Sequence, residues 1–239
     1  MQKILNLLKR LFQNPFALAN CMVAIVLVLF TVEISCTKHT LQDERKRAQD
    51  YYMEAETRVQ NLIDENEQLY LRLEKYEQSE VLYGISFIVS RNRAVDVKQA
   101  REIAERVVEY SSRFELDYKL VLAVIWQESR FKVNAKSGKG ACGLMQIIPD
   151  TQKGIAKKLG IESWDIHSVG TNILFGTAYL GRLKVLYNND TRLMLSAYNG
   201  GYTGAKQYGR FVRGEIPADS LNAENLGYVQ SIMNIYGKM

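Results

Sequence analysis

Cysteine and histidine are scarce: Cys21, Cys36, Cys142, His39 and His167 are all that 239 residues contain. Three scattered cysteines cannot form a disulfide framework, and no paired Cys/His spacing suggests zinc. Cys142 is expected to pack as a small apolar residue. Two histidines leave a His-based metal site or a Ser/His nucleophile poorly supplied, so the expected metal and cofactor content is none. Strand-like alternation is nearly absent, which sets aside the all-β and parallel α/β classes and leaves a mainly α protein. No Lys/Arg-rich run interleaved with aromatics appears, and no nucleic-acid module signature, so nucleic acid is not an expected partner. With 47% hydrophobic and 24% charged residues the chain is not wholly disordered.

The formal net charge of +5 is uneven: residues 1–85 carry 10 Lys plus Arg against 12 Asp plus Glu, and residues 86–239 carry 21 against 14. A basic second half would concentrate near an anionic polymer or surface; the same excess also suits an ordinary solvated face.

Phe16 to Val32 is a 17-residue apolar stretch broken only by Asn20 and Thr31. It is just long enough to cross a bilayer, so a transmembrane helix is expected over 16–34. Lys3, Lys9 and Arg10 precede it without an acid, which predicts a cytosolic tail over 1–15 and everything after Ile34 on the outer side. The rival is a cleaved signal. No small-x-small pattern ends the run, and Glu33-Ile34-Ser35-Cys36 resembles a lipoprotein cleavage site except at Glu33.

Over 40–83 the sequence turns densely charged with a seven-residue beat. Leu41, Ala48, Ala55, Leu62, Leu69, Tyr76 and Tyr83 hold one position, and Arg45, Tyr52, Val59, Asn66, Leu73 and Glu80 the other. Alternating spacings of three and four predict a coiled-coil helix, with Asn66 at an a position suited to fixing register in a homodimer. The seam is diluted by Arg45, Asn66, Glu80 and the alanines, so a lone spacer helix of roughly 60 Å is the alternative. Residues 84–94 read as a linker. Helical patterns then run from Val95 to Ser111, from an Asp117 N-cap through Glu128, and over Thr151–Leu159, Gly170–Tyr187, Thr191–Tyr198 and Leu226–Tyr236. A helical domain is expected over 95–239.

Glu128 closes an apolar helical run, Leu120 to Trp126. A carboxyl on the end of a buried helix is pushed towards its neutral form, which suits it to donate a proton to a leaving oxygen near neutral pH. Asp150, Glu162 and Asp165 stand in no motif that would make them its partner and read as surface or helix-end charges. Gly140 and Gly143 bracket a turn where backbone can approach a ligand. Gln146 carries an amide able to donate and accept. Gly200, Gly201 and Gly204 suit the end of a helix.

An ordered set of motifs accompanies Glu128-Ser129: Ala135-x-Ser137-x-x-Gly140-Ala141-x-Gly143-Leu144-Met145-Gln146 with Pro149 and Thr151, then Asn172-Ile173, Gly176 and Tyr179-Leu180, then Ala197-Tyr198-Asn199-Gly200-Gly201, then Tyr228-Val229. From roughly Asp117 to Ile232 this resembles the catalytic domain of the soluble-type lytic transglycosylases, lysozyme-like relatives of goose-type lysozyme that cut peptidoglycan. The resemblance implies a lysozyme-like helical fold. It also implies Glu128 as acid and base, Ser129, Ser137, Gln146, Tyr198 and Asn199 as sugar contacts, and the Tyr228 hydroxyl as a further substrate-site group close enough to bond the Glu128 carboxyl or an attacking oxygen. It further implies cleavage of the β-1,4 bond between N-acetylmuramic acid and N-acetylglucosamine, with an internal 6-hydroxyl giving a 1,6-anhydromuramoyl end. Ile148, Tyr202 and the segment Asn225-Leu226-Gly227 depart from the family pattern, where Met, Pro and Arg-Asn are common. The alternatives are a hydrolytic lysozyme of the same fold, or a glycan-gripping component of an envelope or virion machine.

Overall fold

A computed structural model describes residues 15–239, with side chains from Ala19 onward. The expected cytosolic tail over 1–15 lies almost wholly outside the described residues. The order of elements is α1 (Pro15–Arg91), α2 (Val97–Arg113), α3 (Tyr118–Ser129), α4 (Pro149–Leu159), α5 (Val169–Leu186), α6 (Thr191–Val212), a 3-10 turn (Ala218–Ser220) and α7 (Ala223–Tyr236). No strand occurs among the described residues; two isolated bridges tie Cys142 to Lys136 and to Ile147. The mainly α expectation holds.

The chain divides into two units, residues 1–71 and 72–239. In the first, α1 is a single helix whose apolar side chains between Met22 and Ile34 are exposed. It is long and apolar enough there to cross a membrane. Further along, Val59, Leu62, Ile63 and Leu69 are also exposed, giving an apolar stripe with no partner among the described residues.

The second unit is built around α3. Leu120 to Ile125 are buried on every side, so this short helix is the axis of the core rather than an amphipathic cover. Asp117 caps it, its carboxylate accepting the Lys119 N–H at 2.8 Å. α2 packs on α3 and α5, α7 on α3 and α6, α5 also on α4 and α6. α2 is amphipathic as its spacing predicts: Ala100, Ile103, Ala104, Val107, Val108 and Ser111 are buried. Asp96 caps it through the Gln99 N–H.

The linker expected over 84–94 is instead helical to Arg91, and only the turn after it is irregular. Packing decides this: Phe87 and Ile88 are buried, and Tyr83 meets the Tyr118 ring edge-on at 6.1 Å. Gly84 does not break the helix because its missing side chain is what allows contact with α2; a Cβ there would lie 2.9 Å from the Ala104 Cβ. The heptad positions Glu80 and Tyr83 are therefore part-covered by the chain's own domain, and the seam open to another helix stops near Tyr76.

Gly84→Ala gains about 1 kcal/mol of helix propensity but forces two Cβ atoms into overlap, an overpacking cost of about 1–3 kcal/mol. The expected outcome is a net loss of stability, seen by thermal circular dichroism as a Tm lower by a few degrees.

Candidate active site

The last turn of α3 carries Glu128 from the buried axis to the floor of a cleft of about 560 Å³. Arg130 and Phe131 follow with φ of 54° and 62°, reversing the chain; fully buried Phe131, its ring centroid 5.9 Å from Trp126, holds that reversal in place. The half-buried carboxyl accepts one side-chain hydrogen bond among the described residues. Tyr228, buried on α7, donates its hydroxyl to Glu128 Oε1 at 2.6 Å. One turn on, Ser231 donates to Gln127 at 2.6 Å, so α7 grips α3 twice beside the site. Burial pushes the Glu128 carboxyl up from 4.5 to about 7, and the Tyr228 hydrogen bond pulls it partly back. Burial, with the Glu128 charge beside it, raises the Tyr228 hydroxyl well above 10, which keeps it a donor.

The second wall is the loop 135–147, shaped from within by Asn172 on α5. Its Oδ1 accepts the Met145 N–H at 2.7 Å, and its Nδ2 donates to the Cys142 and Ile166 carbonyls at 2.9 and 3.0 Å. Gly143, at φ 78°, makes room: a Cβ there would stand 2.0 Å from Asn172 Nδ2. Ser137 lines the cleft, its Oγ accepting the Ala141 N–H at 3.1 Å. Gln146 also lines it, but its NH₂ donates to the Ala135 and Gly143 carbonyls at 3.1 and 2.8 Å. The amide expected to offer both donor and acceptor therefore presents only its oxygen.

Tyr198 and Asn199 on α6 form the facing wall. The Tyr198 hydroxyl donates to the Met145 carbonyl at 2.8 Å, strutting the two walls together, and its ring lies 5.4 Å from that of Tyr179. Ser129 is a correction: it is buried and bonded back to the Ile125 carbonyl at 3.2 Å, so it faces the core and does not line the cleft. Cys142 is free and buried, as expected. Lys139, Thr151, Tyr179 and Glu224 also line the cleft; Thr151 and Tyr179 stood in the motifs without an assigned role, and Lys139 and Glu224 carried no pattern of their own. Glu224 is an exposed second carboxylate in the cleft, yet no neighbouring charge contributes to the shift of Glu128, in contrast to a carboxyl pair held about 5 Å apart. Among the described residues no three His, Cys, Asp or Glu side chains gather closely enough to hold a metal ion.

The arrangement can deliver one proton near neutral pH and take it back. Glu128→Gln is expected to abolish turnover, by at least about 10²-fold, with circular dichroism unchanged. Its stability has a definite sign. Because the folded pKa is raised, the wild type is fully stabilised by the protonated carboxyl below about 4.5 and loses that stabilisation as pH rises through about 7. Denaturation should therefore find Glu128→Gln more stable at pH 9 by up to about 3 kcal/mol, with the difference gone near pH 4. Tyr228→Phe removes the bond that lowers the Glu128 pKa. The alkaline limb of the activity profile should move above 7 while kcat falls about tenfold, read from initial rates against pH.

Residues 105–215 match the Transglycosylase SLT domain family. Over 133 residues the chain is 30% identical to the soluble lytic murein transglycosylase of Escherichia coli K12, covering 52% of this chain and 21% of that protein. Over 98 residues it is 36% identical to the membrane-bound lytic murein transglycosylase F of Desulfosudis oleivorans, covering 38% and 20%. The chain thus spans about a fifth of the length of the curated relatives it matches. Among solved structures, the 70 kDa soluble lytic transglycosylase of Escherichia coli aligns with a TM-score of 0.51 at 24% identity, over 67% of this chain and 29% of that one. At that identity the likeness is one of fold, and the helical domain has the all-α lytic transglycosylase fold.

Proposed function

We propose that the chain cleaves the β-1,4 bond between N-acetylmuramic acid and N-acetylglucosamine in peptidoglycan by transglycosylation. The observation that carries this is one half-buried carboxyl, held near pKa 7 by burial and hydrogen-bonded by a tyrosine hydroxyl, in an open cleft. Glu128 donates its proton to the glycosidic oxygen as the bond from C1 to that oxygen breaks. The 6-hydroxyl of the same muramoyl residue then bonds to C1, and Glu128, now a carboxylate, takes the hydroxyl proton. The acid is regenerated within the cycle, and no water enters the balance. Tyr228 holds the carboxyl by its Oε1 through both halves. Ser137, Gln146, Tyr198 and Asn199 contact the sugars from the two walls. The matched relatives named as murein transglycosylases support this activity.

The domain then works on the outer side of the cytoplasmic membrane, facing the wall, with residues 16–34 as a single-pass anchor. The exposed apolar stretch of α1 supports this. The stripe through Val59, Leu62 and Leu69 suits pairing with a second copy of the chain up to about Tyr76, and sedimentation equilibrium distinguishes that from a lone spacer.

Digestion of peptidoglycan by the chain is expected to release fragments ending in 1,6-anhydro rings, lighter by one water than reducing ends, as read by mass spectrometry. Glu224→Gln should leave that product unchanged. Ordinary reducing ends, lost with Glu224→Gln, would instead assign a hydrolytic lysozyme with Glu224 as the base that activates water.

A further inference from the structure

The wall that carries Asn199 depends on a buried residue outside the cleft. Asn225, on the first turn of α7 and only 6% exposed, places its side-chain amide against α6. Its Nδ2 donates to the Ser196 carbonyl at 2.9 Å and to Asn199 Oδ1 at 3.0 Å, and its Oδ1 accepts the Ser196 hydroxyl at 2.5 Å. This orientation follows from chemistry: a backbone carbonyl only accepts, so the group facing it must be NH₂. The other hydrogen of that NH₂ then needs an acceptor, which sets the Asn199 oxygen towards Asn225. What remains on the cleft side of Asn199 is its NH₂.

α6 is shaped to admit this amide. A Cβ on Gly200 would lie 2.7 Å from Asn225 Nδ2, and one on Gly204 would lie 3.1 Å from it. Between them Gly201 leaves helical geometry at φ 63°, ψ −160°, a region essentially closed to other residues. The glycines expected to terminate a helix instead bend it and let it continue to Val212.

We propose that Asn225 is a positioning residue that makes Asn199 a one-sided donor, and that the group it recognises is the acetamido carbonyl oxygen of a glycan sugar. The inference rests on the peptidoglycan-cleaving function proposed above. Two features choose this ligand. A donor NH₂ selects an acceptor, and a carbonyl is the best neutral acceptor an N-acetylated sugar carries. The loop wall supplies the complement, because Gln146, with its NH₂ spent on backbone, offers its oxygen to the same cleft, where an acetamido N–H can donate.

The test uses the full chain carrying Glu128→Gln, so that glycan binds without being cut, and calorimetry with a peptidoglycan glycan oligomer, fully N-acetylated or chemically de-N-acetylated. The expected result is that the acetylated oligomer binds more tightly. Asn199→Ala and Asn199→Asp should each weaken that binding about tenfold, the aspartate failing because it can only accept. Asn225→Ala should weaken it similarly alone and add nothing in the Asn199→Ala background, whereas a merely structural loss would add in both. Asn199 is exposed, so Asn199→Asp reports even where the buried substitution costs the fold. Retained affinity in Asn199→Asp, or additive losses, overturns the proposal. Equal binding of both oligomers overturns it while leaving the glycan function standing; binding of neither removes that function and the proposal with it.

Discussion

The site depends on keeping one carboxyl half out of water without giving it a cation. Glu128 reaches that state because the helix beneath it is buried all round, so its last turn emerges on the floor of a cleft and not on open surface. A lysine or arginine beside it would have lowered its pKa and left an anion unable to give a proton. The tyrosine that occupies the place donates a hydrogen bond, which orients the carboxyl while removing only part of the burial effect. A hydroxyl whose own ionisation is pushed well above 10 stays a donor throughout.

Much of the rest of the domain holds that arrangement. α7 supplies the tyrosine and is tied to α3 by a second hydrogen bond one turn later. α5 sends Asn172 into the loop wall, and α6 braces the same loop through the Tyr198 hydroxyl. In the last two cases a polar side chain bonds backbone groups of a segment that has no regular structure of its own. Such loops are ordered by what reaches into them, since their own backbone cannot pair as a sheet or helix does. The cleft is thus braced on both sides although one side is loop.

The same device recurs with amides. Gln146 spends its NH₂ on carbonyls of its own loop, and Asn199 has its oxygen held by Asn225. Two side chains that could each donate and accept are reduced to one function apiece, and on opposite walls. A free amide rotates to suit whatever binds; a tethered one discriminates, because a ligand group of the wrong polarity leaves a desolvated partner unpaired.

The helices, the cap at Asp117, the apolar axis ending at Glu128 and the ordered motifs around it were legible in the sequence, because periodicity, capping and motif order are local properties of the chain. So was a Tyr228 hydroxyl within reach of the Glu128 carboxyl or an attacking oxygen, carried by the family resemblance across 100 positions of sequence separation; the structure shows the bond to the carboxyl. Tertiary structure alone decided the remainder. Gly84 looks like a break until Ala104 is seen to need its missing side chain, and Gly201 looks like an end until the helix is seen to bend there. Ser129, one residue from the acid, faces the core because neighbours on a helix point about 100° apart. Asn225 stood out only as a departure from the family pattern, with no sign of its role, since its partners lie 26 and 29 positions away and only folding brings them together. Local pattern determines which elements form and where a reactive group is mounted; which way each side chain faces, and which of its atoms remains free, is set by contacts between elements that no single stretch of sequence contains.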